Sequence, residues 1–118
     1  MTDPSPAISP SGDPWPHPRQ RAWVEVCEAA VQANARSLRR SLAPGCQLMA
    51  VVKADGYGHG ALPVARAAAA GGASSFGVAT LQEGVELRQA GLRQPVLVLG
   101  NLTQPEELRA CLHWQLMP

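Results

Sequence analysis

Lys53 closes an unbroken apolar run, Leu48-Met49-Ala50-Val51-Val52, and is followed at once by Ala54-Asp55-Gly56-Tyr57-Gly58-His59-Gly60. An apolar run of that length reads as a buried strand, and ligands of parallel α/β folds gather at the ends of strands where such a lysine stands. A lysine partly withdrawn from water there can present a neutral amine, which attacks a carbonyl to form an imine. From position alone, a solvated lysine at a strand end is the competing reading. The three glycines beyond it permit positive φ and a close approach of backbone to ligand, and amides in such a loop suit a phosphate. Tyr57 adds a phenolic donor, or else packs on its own turn.

Gly56, Gly58 and Ala61 also fit G-x-G-x-x-A between a strand and a helix, the fingerprint of a dinucleotide site. That fold wants an acidic residue near the end of the next strand, where Thr80 stands. It has no use for a lysine and an aspartate ahead of the first glycine. His59 and His113 have no second ligand at helical spacing, so a metal site is not expected. Glu83 and Glu86 read as a helix cap and a solvated helix face, not as an acid and base pair.

The elements that must hold Lys53 can be read from the texture of the chain. Residues 1–20 contain Pro4, Pro6, Pro10, Pro14, Pro16 and Pro18 and read as a disordered extension. Trp23, Val24 and Val26 make a short β-prone run, and the alanine-rich stretch from Glu28 to Leu42 suits a helix that Pro44 and Gly45 end. After the glycine turn a helix is expected over Leu62 to Ala70. Ser75 to Ala79 and Pro95 to Leu99 read as further strands. Thr80 with Glu83, and Thr103 with Glu106, offer capping boxes for the helices after them. Buried strands alternating with helices imply right-handed crossovers and a parallel sheet, so the class is α/β. Three units leave open whether that sheet is open or closed.

The 118 residues allow one domain at most. Ten Lys and Arg against nine Asp and Glu give a net charge of +1 with no clustered basic face, which speaks against nucleic acid or a membrane surface as a partner. Three separated cysteines, Cys27, Cys46 and Cys111, suggest neither a disulfide framework nor a zinc site, and a reducing cytoplasm is the expected setting.

The stretch Ala50-Val51-Val52-Lys53-Ala54-Asp55-Gly56-Tyr57-Gly58-His59-Gly60-Ala61 closely resembles the pyridoxal-phosphate attachment site of alanine racemases. Its flanks agree. Trp23-Val24-Glu25-Val26 resembles the family's opening strand, Phe76-Gly77-Val78-Ala79-Thr80 with Glu83 and Glu86 its second unit, and Pro95 to Gly100 its third. The resemblance covers residues 21–118 and implies the first three βα units of a (β/α)8 TIM-type barrel. It implies a homodimeric isomerase that interconverts L- and D-alanine for the cell wall. Lys53 would then bind pyridoxal 5'-phosphate as an imine and act as one of two catalytic bases, and Tyr57 would contact the cofactor's phosphate. The family's second base is a tyrosine of the partner subunit's C-terminal domain, and its arginine at the pyridine nitrogen comes from late in the barrel. The chain is therefore expected to be an N-terminal fragment, inactive alone. The alternative is a non-catalytic pyridoxal-phosphate-binding or interaction remnant.

Overall fold

The computed structural model describes residues 23–118, so the proline-rich extension expected over residues 1–20 lies outside the described residues. Three strands, β1 (Met49–Val51), β2 (Ser75–Val78) and β3 (Val96–Val98), form one parallel sheet in sequential order. Met49 pairs with Ser75, and Phe76 with Val96, so all three strands end along the same edge. Helices precede, join and follow them. In chain order they are α1 (Glu28–Ser41), the single turn α2 (Lys53–Tyr57), α3 (Ala61–Ala70), α4 (Leu81–Gln89) and α5 (Pro105–Trp114). The longer ones are rich in alanine or leucine, with glycine following α3 and α4.

Strand alternation divides the sheet into unlike faces. Val52, Phe76, Val78, Val96 and Val98 are buried together with Ala65 of α3, Leu87 of α4 and Cys111 of α5. The opposite face carries Met49, Val51 and Leu99, each more than a third exposed. This corrects the expectation that the run from Leu48 to Val52 is covered on both sides. Among the described residues the helices pack on one face only.

The first helix attaches indirectly. Its Ala35 packs with Ala68 and Ala73 beside Leu48 and Ala50. A Cβ at Gly71 would lie 2.4 Å from the Gln32 carbonyl oxygen and 2.6 Å from the Ala35 methyl, so only glycine admits this crossing. Leu38, by contrast, is exposed.

Two other expectations are corrected. Trp23 to Val26 form no strand; Trp23 and Val24 are exposed, and no described strand lies beside them to complete a ladder. The last cap falls one residue later than Thr103 with Glu106. Pro105 takes the first helical position, which its missing N–H suits, so Gln104 becomes the N-cap and Glu107 the acidic partner. The Glu107 carboxylate accepts from the backbone N–H groups of Thr103 and Gln104 at 2.9 and 3.0 Å. Beyond α5, Met117 makes an isolated parallel bridge with Leu97 of β3.

The edge where the strands begin is tied by one side chain. Arg88 at the end of α4 donates to the carbonyls of Leu92 and Gln94 ahead of β3, and to those of Trp114 and Gln115 at the end of α5. These bonds run from 2.8 to 3.0 Å. Burial, and secondarily the neighbouring Arg93, pulls the Arg88 pKa below the ordinary arginine value. The four carbonyl dipoles compensate the cation where helices expose their negative ends.

Candidate functional site

Lys53 lies two residues beyond the last paired residue of β1, on the edge where the strands end, and its side chain is half-buried. The backbone then turns the opposite way from an ordinary helix. Ala54, Asp55 and Gly56 have φ/ψ of 51/49, 52/48 and 62/37 degrees. Tyr57 comes next at φ 56 and Gly58 at φ 83. The single turn α2 is thus left-handed. Glycine adopts that conformation freely, but for an L-residue with a Cβ it costs about 1–2 kcal/mol. Ala54, Asp55 and Tyr57 together therefore carry roughly 3–6 kcal/mol of conformational cost.

A set of hydrogen bonds holds the turn against that cost. Gly56 N–H donates to the Val52 carbonyl at 2.9 Å, Gly58 to Ala54 at 3.1 Å, His59 to Gly56 at 3.1 Å and Gly60 to Asp55 at 2.8 Å. Two carboxylates add longer links. Asp55 Oδ1 accepts from the Ala61 N–H at 2.9 Å, which caps the start of α3. Glu83 Oε2 accepts from the Ala54 N–H at 3.0 Å, across 29 residues of sequence. At about 1 kcal/mol each, these bonds together offset a penalty of that size.

The Asp55 contact bears on the dinucleotide fingerprint. A pyrophosphate in such a motif sits on the N-terminal amides of the next helix. Here the first of those amides, on Ala61, already meets a carboxylate, whose charge repels a second anion.

Each residue singled out from the sequence has a definite place. Lys53 opens the turn and Tyr57 closes it, with Lys53 half-buried and Tyr57 59% exposed. His59 Nδ1 stays within the turn, beside the carbonyls of Gly56 and Tyr57. Thr80 caps α4 as expected, its hydroxyl accepting from the Glu83 N–H at 3.2 Å. Glu83 does more than cap. Its Oε1 accepts from the Thr80 hydroxyl at 3.1 Å while its Oε2 reaches the Lys53 turn. Sequence reasoning missed this link, and also the role of Asp55. The one available signal was a carboxylate at each position, which for Glu83 was already accounted for by the cap.

A half-sheet of parallel βα units with an amine at the strand-end edge defines a class: barrel-type α/β proteins that carry their chemistry on the loops after the strands. The profile of one such family, alanine racemase, N-terminal domain, matches residues 26–118. An alanine racemase of Prochlorococcus marinus is 64% identical over 101 residues, which are 86% of this chain and 26% of that protein. The alanine racemase of E. faecalis superposes with a TM-score of 0.72 at 40% identity, over 75% of this chain and 24% of that one. That of Bacillus anthracis, solved with bound L-Ala-P, gives the same TM-score at 32% identity over 75% and 23%. The chain belongs to the alanine racemase N-terminal domain family, and its fold is the TIM-barrel-like fold of that domain. It spans about a quarter of the length of the curated relatives it matches.

Proposed function

We propose that these residues form the lysine side of a pyridoxal-phosphate-dependent racemase site acting on alanine. The observation that carries the reading is Lys53 at the strand-end edge, on a turn held by six hydrogen bonds and ended by an exposed phenol. The donor set fits the cofactor: a primary amine for its aldehyde and a phenolic O–H for its phosphate. The B. anthracis relative with bound L-Ala-P supports alanine as the amino acid.

Pyridoxal phosphate, when bound, supplies an electron sink for the pair left behind when the α-proton departs. Lys53 Nζ would hold the cofactor, and the same amine would take or return a proton at one face of the alanine Cα. Tyr57 Oη donates to the phosphate and fixes that end. The left-handed turn fixes the backbone from which both side chains spring, which reduces what must be ordered when the cofactor arrives.

Racemisation needs a second base on the opposite face. By the family resemblance this is a tyrosine of the partner subunit in a homodimer. Tyr57 is the single tyrosine of the 118 residues and is committed to the phosphate, so these residues alone are expected to be inactive. The free thiols of Cys27, Cys46 and Cys111 suit a reducing cytoplasm, where D-alanine for the cell wall would be made.

The test is to incubate the chain with pyridoxal phosphate, reduce with borohydride and map the modified residue by mass spectrometry. One adduct at Lys53, absent from Lys53→Ala, is expected. Lys53 is the single lysine of the 118 residues, so the one competing primary amine is the N-terminal one. Labelling of Lys53 no tighter than labelling of that amine would overturn the reading.

A further inference from the structure

We propose that Glu83 is a positioning residue for Lys53, acting through the peptide that joins Lys53 to Ala54. This rests on the reading of Lys53 as the cofactor lysine. A peptide unit is planar, so the direction of the Ala54 N–H fixes the plane that leaves the Lys53 Cα. That N–H donates to Glu83 Oε2 at 3.0 Å. The Ala54 N–H also opens the left-handed turn, the point where the chain must leave ordinary backbone geometry. An acceptor there decides whether Lys53 is delivered in one orientation or several.

The acceptor is itself immobilised. Glu83 is half-buried in the first turn of α4, and its other oxygen is held by the Thr80 hydroxyl at 3.1 Å. Thr80 comes just after β2, which is paired in register with β1 from Met49 to Val51. Strand, cap, carboxylate and amide therefore make a closed loop between two successive βα units, with Lys53 at one corner. The one ion pair among the described residues joins Arg109 and Glu106, so Glu83 is not serving as the partner of a cation. A carboxylate bound to neutral groups alone, the Thr80 hydroxyl and the Ala54 N–H next to Lys53, is placed for its hydrogen bonds.

The experiment compares the wild-type 118-residue chain with Glu83→Ala, Glu83→Gln and Glu86→Ala. Glu86 lies on the same helix and contacts Gln82, so its variant matches the loss of a helix carboxylate without touching the turn. Pyridoxal phosphate is titrated and fixed with borohydride: the Lys53 amine joins the aldehyde carbon, water leaves, and hydride delivered to that carbon leaves a secondary amine. Half-saturation for the Lys53 adduct should rise about tenfold or more in Glu83→Ala, the range for losing a hydrogen bond to a charged group. It should be largely restored in Glu83→Gln, whose amide oxygen can still accept from Ala54, and unchanged in Glu86→Ala. Amide hydrogen exchange at Gly56, Gly58 and Gly60 is read in parallel and should quicken in Glu83→Ala, with the α1 amides unaffected. Unchanged half-saturation in Glu83→Ala, or unchanged exchange in the turn, overturns the proposal. A wild-type chain with no Lys53 adduct overturns the cofactor reading instead, and exchange then still decides whether Glu83 holds the turn.

Discussion

The two edges of the sheet solve the same problem with opposite charges. Where the strands end, backbone N–H groups of the left-handed turn and of the start of α3 are met by carboxylates, Glu83 and Asp55. Where the strands begin, carbonyls at the ends of α4 and α5 are met by one guanidinium, Arg88. Each charge complements the helix ends beside it. At one edge Arg88 gathers four carbonyls on a single cation, whereas at the other the links are spread over a turn that leaves Tyr57 exposed. The first edge depends on one side chain and the second on several.

The largest effect that would break this contrast is on stability. Arg88→Met keeps the apolar stem but abandons four carbonyls, and is expected to cost roughly 2–4 kcal/mol. Asp55→Ala removes one capping acceptor and should cost about 1 kcal/mol. Urea unfolding of both variants measures the difference. Equal losses would mean that the two edges contribute alike.

An intermediate effect concerns sign. Ala68 is buried inside α3, and Ala68→Gly should lower stability by about 1–2 kcal/mol through helix propensity and lost burial. Ala54→Gly instead relieves a φ of 51°, worth about 1–2 kcal/mol, against about 0.5–1 kcal/mol of added chain entropy. Its net change should lie between zero and about +1.5 kcal/mol. The same substitution, read by thermal unfolding, thus separates strained from regular backbone. A loss at Ala54 as large as at Ala68 would show that the turn is not strained.

The alternation of strands and helices was legible because apolar runs, prolines and glycines mark where each element starts and stops. The place of Lys53 at a strand end was legible from the apolar run before it, but its position alone left a solvated lysine as the competing reading, and its proposed role rests on the family resemblance. The hand of the turn was not. Gly56 and Gly58 announce positive φ, but Ala54, Asp55 and Tyr57 are residues that local sterics steer away from it. Five hydrogen bonds within residues 52–61 and one from Glu83 hold them there. Glu83 was obscured for a related reason: three residues after Thr80 it already fits a cap, and spacing along one helix carries no information about a contact 29 residues upstream. Trp23 to Val26 misled because β-propensity describes fit to a neighbouring strand more than a backbone preference, and no described strand lies alongside.

The smallest effect tests the closed interior by pH. Burial, and secondarily Glu107, pushes the Cys111 thiol above its usual pKa of 9.0. Below that value folded and unfolded chains both hold the proton and no difference arises. Above it the unfolded chain ionises first, so stability falls as pH rises toward the folded value. Melting temperature should therefore decline above pH 9.0 more steeply in the wild type than in Cys111→Val. Parallel slopes would show that Cys111 is not held in a desolvated site.

The bond between Ala54 and Glu83 also orders events in time. Lys53 emerges during synthesis well before the residue that orients it, and closing a loop of 29 residues has an entropic cost that local helix formation does not. The five local bonds of the turn do not wait for the second βα unit. The bond from Glu83 cannot form before α4 has begun, so the last restraint on the peptide after Lys53 is added by the unit that follows it.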